Sequence, residues 1–380
     1  MNENAKTALA LAAACILVIA AVSIEPEARQ PEMFSDQGEL LFPRLTDPNL
    51  VRSIEVIDYN EAEAVARPLK AAFRNNRWLL LSHNDYPAEA RDRVARTAVS
   101  LVGLKKDAVV TDRFEDHAQY GVIDPLDPKV SSLSGRGKRV TLRDAAGTPL
   151  ADLVLGNPEK NREGYRYVRI PGQKRVYAVK TDADPSARFE DWVEPNLLRL
   201  TPASLKRIVL INYPIDPGSG RLGPPTRAVL SRSGDGWSQE GGPALSKTKI
   251  DSLVSALCSI RVVGARPAPP DLAAQLRGGK GLELTLDLVM SLRQRGFYIT
   301  PDGRFFAAGG EVNAETNNGT SVTLRFGDIA TSQELTKPDP ARAASEPRFV
   351  FATSTDPALR DKFSSWFYII SGADYARFRP

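Results

Sequence analysis

Several short constellations hold the residue types that chemistry needs, and each competes with a structural reading. The run Gly218-Ser219-Gly220-Arg221-Leu222-Gly223 follows a predicted strand and has the letters of a dinucleotide or phosphate loop. Such a loop must deliver the phosphate to a helix N-terminus. Pro224-Pro225 and a further predicted strand over 226–231 follow instead, so the run is read as a flexible connection. Ser246-x-x-Lys249 has the nucleophile and lysine spacing of penicillin-recognising hydrolases, but the companion Ser-Asp-Asn and Lys-Thr-Gly elements are missing. Ser246 stands just before an apolar helical stripe, where a hydroxyl caps free N–H groups. His83 and His117 are the only histidines, so a histidine metal cage or a Ser-His-Asp centre would have to use one of them. Neither has Gly-x-Ser-x-Gly or His-x-x-x-His spacing, and both are predicted as polar surface or loop residues.

The acidic and basic groups read similarly. Asp124-Pro125-Leu126-Asp127-Pro128 offers two carboxylates to calcium, yet Asp-Pro pairs are turn formers, and a turn is predicted. Glu311 and Glu315 fall on one face of a predicted strand, expected to be solvated. A glycosidase would need two carboxyls across a cleft, and the sequence shows no cleft. Lys105-Lys106 and Arg136-x-Lys138-Arg139 suit phosphate or lipid headgroups, but short charge runs are read as solvated surface. Trp78, Trp192, Trp237 and Trp366 are read as packing residues, with an exposed recognition surface as the alternative. No catalytic, cofactor-binding or metal-ligating set emerges, and the chain is expected not to be an enzyme.

Composition narrows the classes. The 380 residues are 42% hydrophobic and 25% charged, which suits a globular chain long enough for two domains. A net charge of +4 is too small to indicate nucleic acid, which requires a concentrated basic face. With only Cys15 and Cys258, an exported body would fold without an internal disulfide.

Export follows from residues 7–24, which carry no charge. A helix of that length rises ~27 Å, close to one bilayer core. Lys6 and the α-amino group precede the run and Glu25 and Glu27 follow it, which places the N-terminus in the cytoplasm and the body outside. Cleavage after Ala21-Val22-Ser23 is the main alternative. A lipoprotein modified at Cys15 is disfavoured, because Ile16-Leu17-Val18-Ile19 would begin its mature chain. The favoured organisation is a cytoplasmic tip and anchor (1–24), a Pro- and Glu-rich stalk (25–50), and two modules (51–200 and 201–380). The protein is placed in a cell inner membrane through residues 7–24, with its body in the periplasm.

Within the body, strands are predicted over 51–58, 108–111, 139–143, 150–155, 165–170 and 175–179, and a hairpin turns at Asn75-Asn76. A helix over 88–104, with Pro87 in its first turn, presents Val94, Ala98, Leu101 and Val102. From Leu205 the order repeats. Residues 205–211 answer 51–57, Trp237 answers Trp78, and a helix over 247–260 answers the first. Leu155-Gly156 answers Phe326-Gly327, Tyr167-Val168 answers Phe349-Val350, and Phe189-x-x-Trp192 answers Phe363-x-x-Trp366 on a short helix closing each unit. Hairpins are predicted across Pro301-Asp302-Gly303 and Asn317-Asn318-Gly319. A polar loop over 334–347 precedes a closing amphipathic helix over 358–379. The expected class is α+β, two tandem modules of mainly antiparallel sheet with packed helices after one transmembrane helix.

These motifs resemble the bacterial family catalogued as domain of unknown function 4340. The likeness rests on Tyr120-Gly121 with Asp124-Pro125, Leu155-Gly156, Tyr167-Val168, Val176-Tyr177 and Phe189-x-x-Trp192. Planctomycete-type members are matched more closely through Gly296-Phe297-Tyr298, Gly310-Glu311-Val312, Leu324-Arg325-Phe326-Gly327 and Phe363-x-x-Trp366. The resemblance implies a membrane-anchored envelope protein accompanying ABC-type transporters of the gliding-motility kind, and it carries no catalytic residues. The function expected is binding or scaffolding of envelope or transporter proteins, with no nucleic-acid partner and no cofactor. The alternatives are an envelope hydrolase acting on glycan or peptide, and a passive binder of polysaccharide or a small ligand.

Overall fold

The computed structural model describes residues 36–379, apart from 195, 215–222, 235, 271, 273–274, 276–284, 300–304 and 331–345. The anchor run 7–24, Cys15, the first part of the expected stalk, glycine-run positions 218–222, the turn 301–303 and most of the loop 334–347 lie outside the described residues.

The first sheet is built from β1 (Ser53–Asn60), β2 (Val65–Arg74), β3 (Arg77–Leu80), β4 (Tyr86–Pro87), β5 (Ala108–Thr111), β6 (Lys138–Arg143), β7 (Pro149–Pro158), β8 (Tyr165–Arg169) and β9 (Val176–Lys180). Its order is β4-β3-β2-β1-β6-β7-β8-β9-β5. β2 turns into β3 at Asn75 and Asn76, both left-handed (φ 50 and 62), a backbone that asparagine tolerates and a two-residue hairpin demands. Helix α1 (Arg91–Leu101) buries Val94, Thr97, Ala98 and Leu101. It starts later than expected because Pro87 belongs to β4, where an edge strand tolerates the missing N–H. Ala88 continues the ladder by donating to the Trp78 carbonyl at 3.0 Å. A short helix, α2 (His117–Tyr120), ends at left-handed Gly121.

The second sheet comprises β10 (Leu205–Asn212), β11 (Thr226–Ser233), β12 (Gly236–Glu240), β13 (Val262–Pro267), β16 (Glu311–Thr316), β17 (Ser321–Ile329), β18 (Arg348–Ser354) and β19 (Trp366–Ile370). A separate hairpin joins β14 (Phe297–Ile299) to β15 (Phe305–Ala307). The order is β12-β11-β10-β16-β17-β18-β19-β13. Among the described residues it is accompanied by α3 (Lys247–Ser259), α4 (Leu286–Arg293), α5 (Pro357–Ser364) and α6 (Gly372–Phe378). All strand pairs in both sheets are antiparallel, so the class is α+β. Among the described residues no helix is long and apolar enough to cross a membrane.

The two strand orders coincide. Replacing β1, β2, β3, β6, β7, β8, β9 and β5 by β10, β11, β12, β16, β17, β18, β19 and β13 converts the first into the second, and β4 is the additional edge strand. The registers agree as well. Val56 pairs with Val140 and Val140 with Leu153, as Leu210 pairs with Val312 and Val312 with Leu324. Leu155, Val168 and Tyr177 form a row across β7, β8 and β9, which Phe326, Val350 and Tyr368 match across β17, β18 and β19.

Three expectations need correction. The closing helix over 358–379 is instead helix, strand, helix. Trp366-Phe367-Tyr368-Ile369-Ile370 forms β19 because both faces of that strand are covered, Tyr368 joining the main core and Phe367 a second cluster with Phe297 and Phe351. Asp356 and Ser371 cap the flanking helices. Phe363-x-x-Trp366 therefore does not answer Phe189-x-x-Trp192. Phe189–Trp192 is a single 3-10 turn after β9, whereas Phe363 lies in the last turn of α5 and Trp366 opens β19. Lastly, the expected stalk is docked from Asp36 onward, with Leu41, Phe42 and Leu45 buried in the main core. Apolar burial of this kind holds a segment down far more firmly than polar linker composition suggests.

Candidate binding groove between the two sheets

Most motif residues serve packing. Gly121 (φ 67) and Gly296 (φ 76) each end a helical segment, Gly121 lying against the strand glycine Gly156 and Gly296 against Asp328, which follows the strand glycine Gly327. A Cβ on Gly156 would collide with the Tyr120 carbonyl, and one on Gly327 with the Arg295 carbonyl and the Phe297 ring. Gly156 and Gly327 occupy matching positions, directly after Leu155 and Phe326. Asp124 closes a turn through Leu126 N–H at 2.9 Å and binds Arg139 at 3.0 Å, which leaves it engaged as a turn residue rather than presented to calcium. The loop beyond Pro125 is organised by Arg136, which donates to the carbonyls of Asp124, Pro125, Asp127, Val130 and Ser132 and stacks on Tyr59 at 4.8 Å. Arg136 and Arg139 are thus internal ties, not solvated surface, as is Lys106 through Asp36 and Glu39.

The remaining candidates scatter. Ser246 caps α3 through Lys249 N–H at 3.2 Å. His117 is 1% exposed, contrary to the expected surface role, with Nε2 2.8 Å from the Lys174 carbonyl and Nδ1 unpartnered. Its burial lowers its pKa. Glu311 is also buried, not solvated, because the β14–β15 hairpin covers that face. Arg325 lies 3.5 Å away and also donates to the Phe305 carbonyl. Burial raises the Glu311 pKa and Arg325 opposes the rise. Glu315, four residues on, is half-exposed beside Lys206. Trp192, Phe326 and Phe363 are fully buried, while Trp78, Trp237 and Trp366 are partly buried against the main core.

What the fold brings together is a seam between the sheets. Tyr86 of β4 meets Trp366 at 4.8 Å and Tyr368 at 6.5 Å, and on its other side Phe189 at 5.2 Å. Burial pushes the Tyr86 phenol up to about 12 and the Tyr368 phenol well above its ordinary value, so both remain protonated donors. Glu89 N–H donates to the Trp192 carbonyl at 2.8 Å, fixing the start of α1 to the 3-10 turn. On the outer side of this seam lies a groove of about 1170 Å³. The end of the β1–β2 hairpin forms one wall, with Asp58, Glu61 and Arg67. Arg188, Phe189 and Glu190 form the second wall, and Val263 with Arg266 of β13 the third.

His83 sits in this groove, its ring 4.9 Å from Phe189 and its Nδ1 2.9 Å from the Ser82 hydroxyl. That hydroxyl also accepts the Lys70 N–H at 2.9 Å. Burial and, secondarily, Arg266 lower the His83 pKa. The walls thus mix both charge signs around an aromatic floor, a surface suited to a polar chain with apolar side groups. Of the motif residues only Phe189 lines it. Tyr86, His83 and Arg266 carry no local sequence signal, since 86 and 368 approach only when both sheets have formed.

Residues 78–276, just over half of the chain, match the family model described as "Domain of unknown function (DUF4340)". The match includes Trp78, Tyr120-Gly121, Asp124-Pro125, Gly156, Phe189, Trp192 and Trp237, and stops before Gly296. Neither the curated proteins nor the solved structures contain a match.

Proposed function

This chain belongs to the DUF4340 family, and from that premise we propose that it is a membrane-anchored extracytoplasmic scaffold whose groove between the sheets receives a segment of another envelope protein. The observation that carries the reading is the seam, where two separately built sheets share one core and leave a wide, mixed-charge groove beside it. Contact is the mechanism. A partner segment would pair its charges with Arg188, Arg266 and Glu190 and lay an apolar side chain on Phe189. Residues 7–24 supply the anchor, and the family resemblance supports an ABC-transporter neighbour of the gliding-motility kind.

We further propose that the body arose by duplication of one module, and that the chain is of the planctomycete type. Matching strand order, matching registers and the close approach of a helix-end carbonyl to Gly156 and to Gly327 support this. Isolation of the native membrane complex tests the scaffold. Co-purification with a transporter or other envelope protein in mild detergent is the expected result, and recovery of this chain alone from intact membranes would count against it.

A further inference from the structure

Resting on the anchor reading, we propose that the β5–β9 edge of the first sheet faces the lipid bilayer, with the groove and the second sheet held away from it. Three observations combine. First, the chain is pinned to that edge as soon as it becomes part of the body. Asp36 accepts from the Tyr177 hydroxyl at 2.5 Å and from Arg175 at 3.0 Å, and lies 3.2 Å from Lys106. Leu41 N–H donates to the Leu104 carbonyl at 2.7 Å, and the Leu41, Phe42 and Leu45 side chains are buried.

Second, this segment meets the first sheet at a tyrosine whose counterpart in the second sheet meets the first unit. Tyr177 and Tyr368 hold matching positions in their sheets. Tyr86 of the first unit packs against Tyr368, whereas the Asp36 end of the docked segment binds Tyr177. Residues 36–45 are therefore a fitted edge cap rather than a spacer.

Third, the remaining tether is short. Between residue 24 and Asp36 there are only the residues 25–35, which even when fully extended reach ~40 Å. A folded body of this size has a radius of gyration near ~20 Å and so measures roughly 50 Å across. The tether is shorter than the body, so full inversion is forbidden and the pinned edge is the part held nearest the membrane. β4, which meets the second sheet through Tyr86, stands at the other end of the strand order from β5. Exposed Phe114, Arg113 and Lys174 lie beside the pinned edge and suit a headgroup zone. Glu115 next to them keeps the patch from being strongly basic, so the tether does the orienting.

The test uses the full chain with C15S and C258S and a single dye-bearing cysteine at either exposed position, K174C or N318C. It is reconstituted in phosphatidylcholine vesicles carrying an acceptor dye on the lipid headgroups. Outward-facing protein should show donor emission at 174 less than half of that at 318. Insertion of a 40-residue Gly/Ser linker after residue 31 should raise emission at 174 at least twofold, since such a linker adds ~35 Å of root-mean-square reach. Equal quenching at the two positions, or no response to the linker, overturns the orientation while leaving the anchor intact. Release of the chain from floated vesicles by alkaline carbonate overturns the anchor, and the orientation with it.

Discussion

Arg136 shows how one side chain can hold a loop that has little apolar core of its own. Its guanidinium donates to five carbonyls between Asp124 and Ser132, and the Asp124 carbonyl also accepts the Asp127 N–H at 3.0 Å. Arg136→Met should lower stability by about 2–4 kcal/mol, the scale of losing several bonds to a charged donor. Arg136→Lys should recover little, because an ammonium cannot span the fork. Urea unfolding with amide exchange over 124–136 checks both, and unchanged exchange in Arg136→Met would contradict the assignment. His117 yields a pH prediction. Its folded pKa lies below the ordinary 6.5, so its contribution is complete above that value and is lost as pH falls through the folded pKa. Between pH 7 and 5 the wild type should therefore lose stability more steeply than His117→Phe, and parallel profiles would refute this. The role of Ser246 is legible in the sequence because a cap is local. The burial of His117 is not, because its partner Lys174 is 57 residues away.

At the level of elements, the two strand glycines are the sharpest test of the correspondence between the sheets. Gly156 and Gly327 each admit a carbonyl of the other segment where a Cβ has no room. Alanine at either position should cost about 1–3 kcal/mol through overpacking, whereas Gly236→Ala, whose Cβ would meet only the Ser233 carbonyl at 3.8 Å, should perturb little. Thermal unfolding of the three variants measures this, and equal losses in all three would sink the reading. Strands with one buried face, such as β1, and the asparagine hairpin were legible from alternation and turn residues. β19 was not, since five consecutive apolar residues covered on both sides lack the period that separates strand from helix. The docked segment 36–50 was missed for a related reason. Its proline and charge content resembles a linker, and only the tertiary placement of Leu41, Phe42 and Leu45 shows otherwise.

For the whole molecule, the seam predicts cooperativity. Trp78 and Trp192 belong to the first unit, Trp237 and Trp366 to the second, and all four contact one core. Unfolding followed through either pair, after Phe substitution of the other, should give the same midpoint, and two separated transitions would show the sheets to be independent. A double-mutant cycle on Tyr86→Ala and Trp366→Ala should give a coupling of about 0.5–1.5 kcal/mol, as edge-to-face aromatic pairs do. The site was less readable than the fold because the groove is assembled from residues as distant as Asp58 and Arg266.

The most direct measurement places a photo-crosslinking amino acid at Arg188 or Arg266 in the groove, and at Glu240 on β12 as a control, in cells producing the full chain. Both groove positions should yield the same discrete product with a second envelope protein, and Glu240 should not. No product from the groove in membranes that retain the intact chain, or the same product from all three positions, would contradict a docking role for the groove.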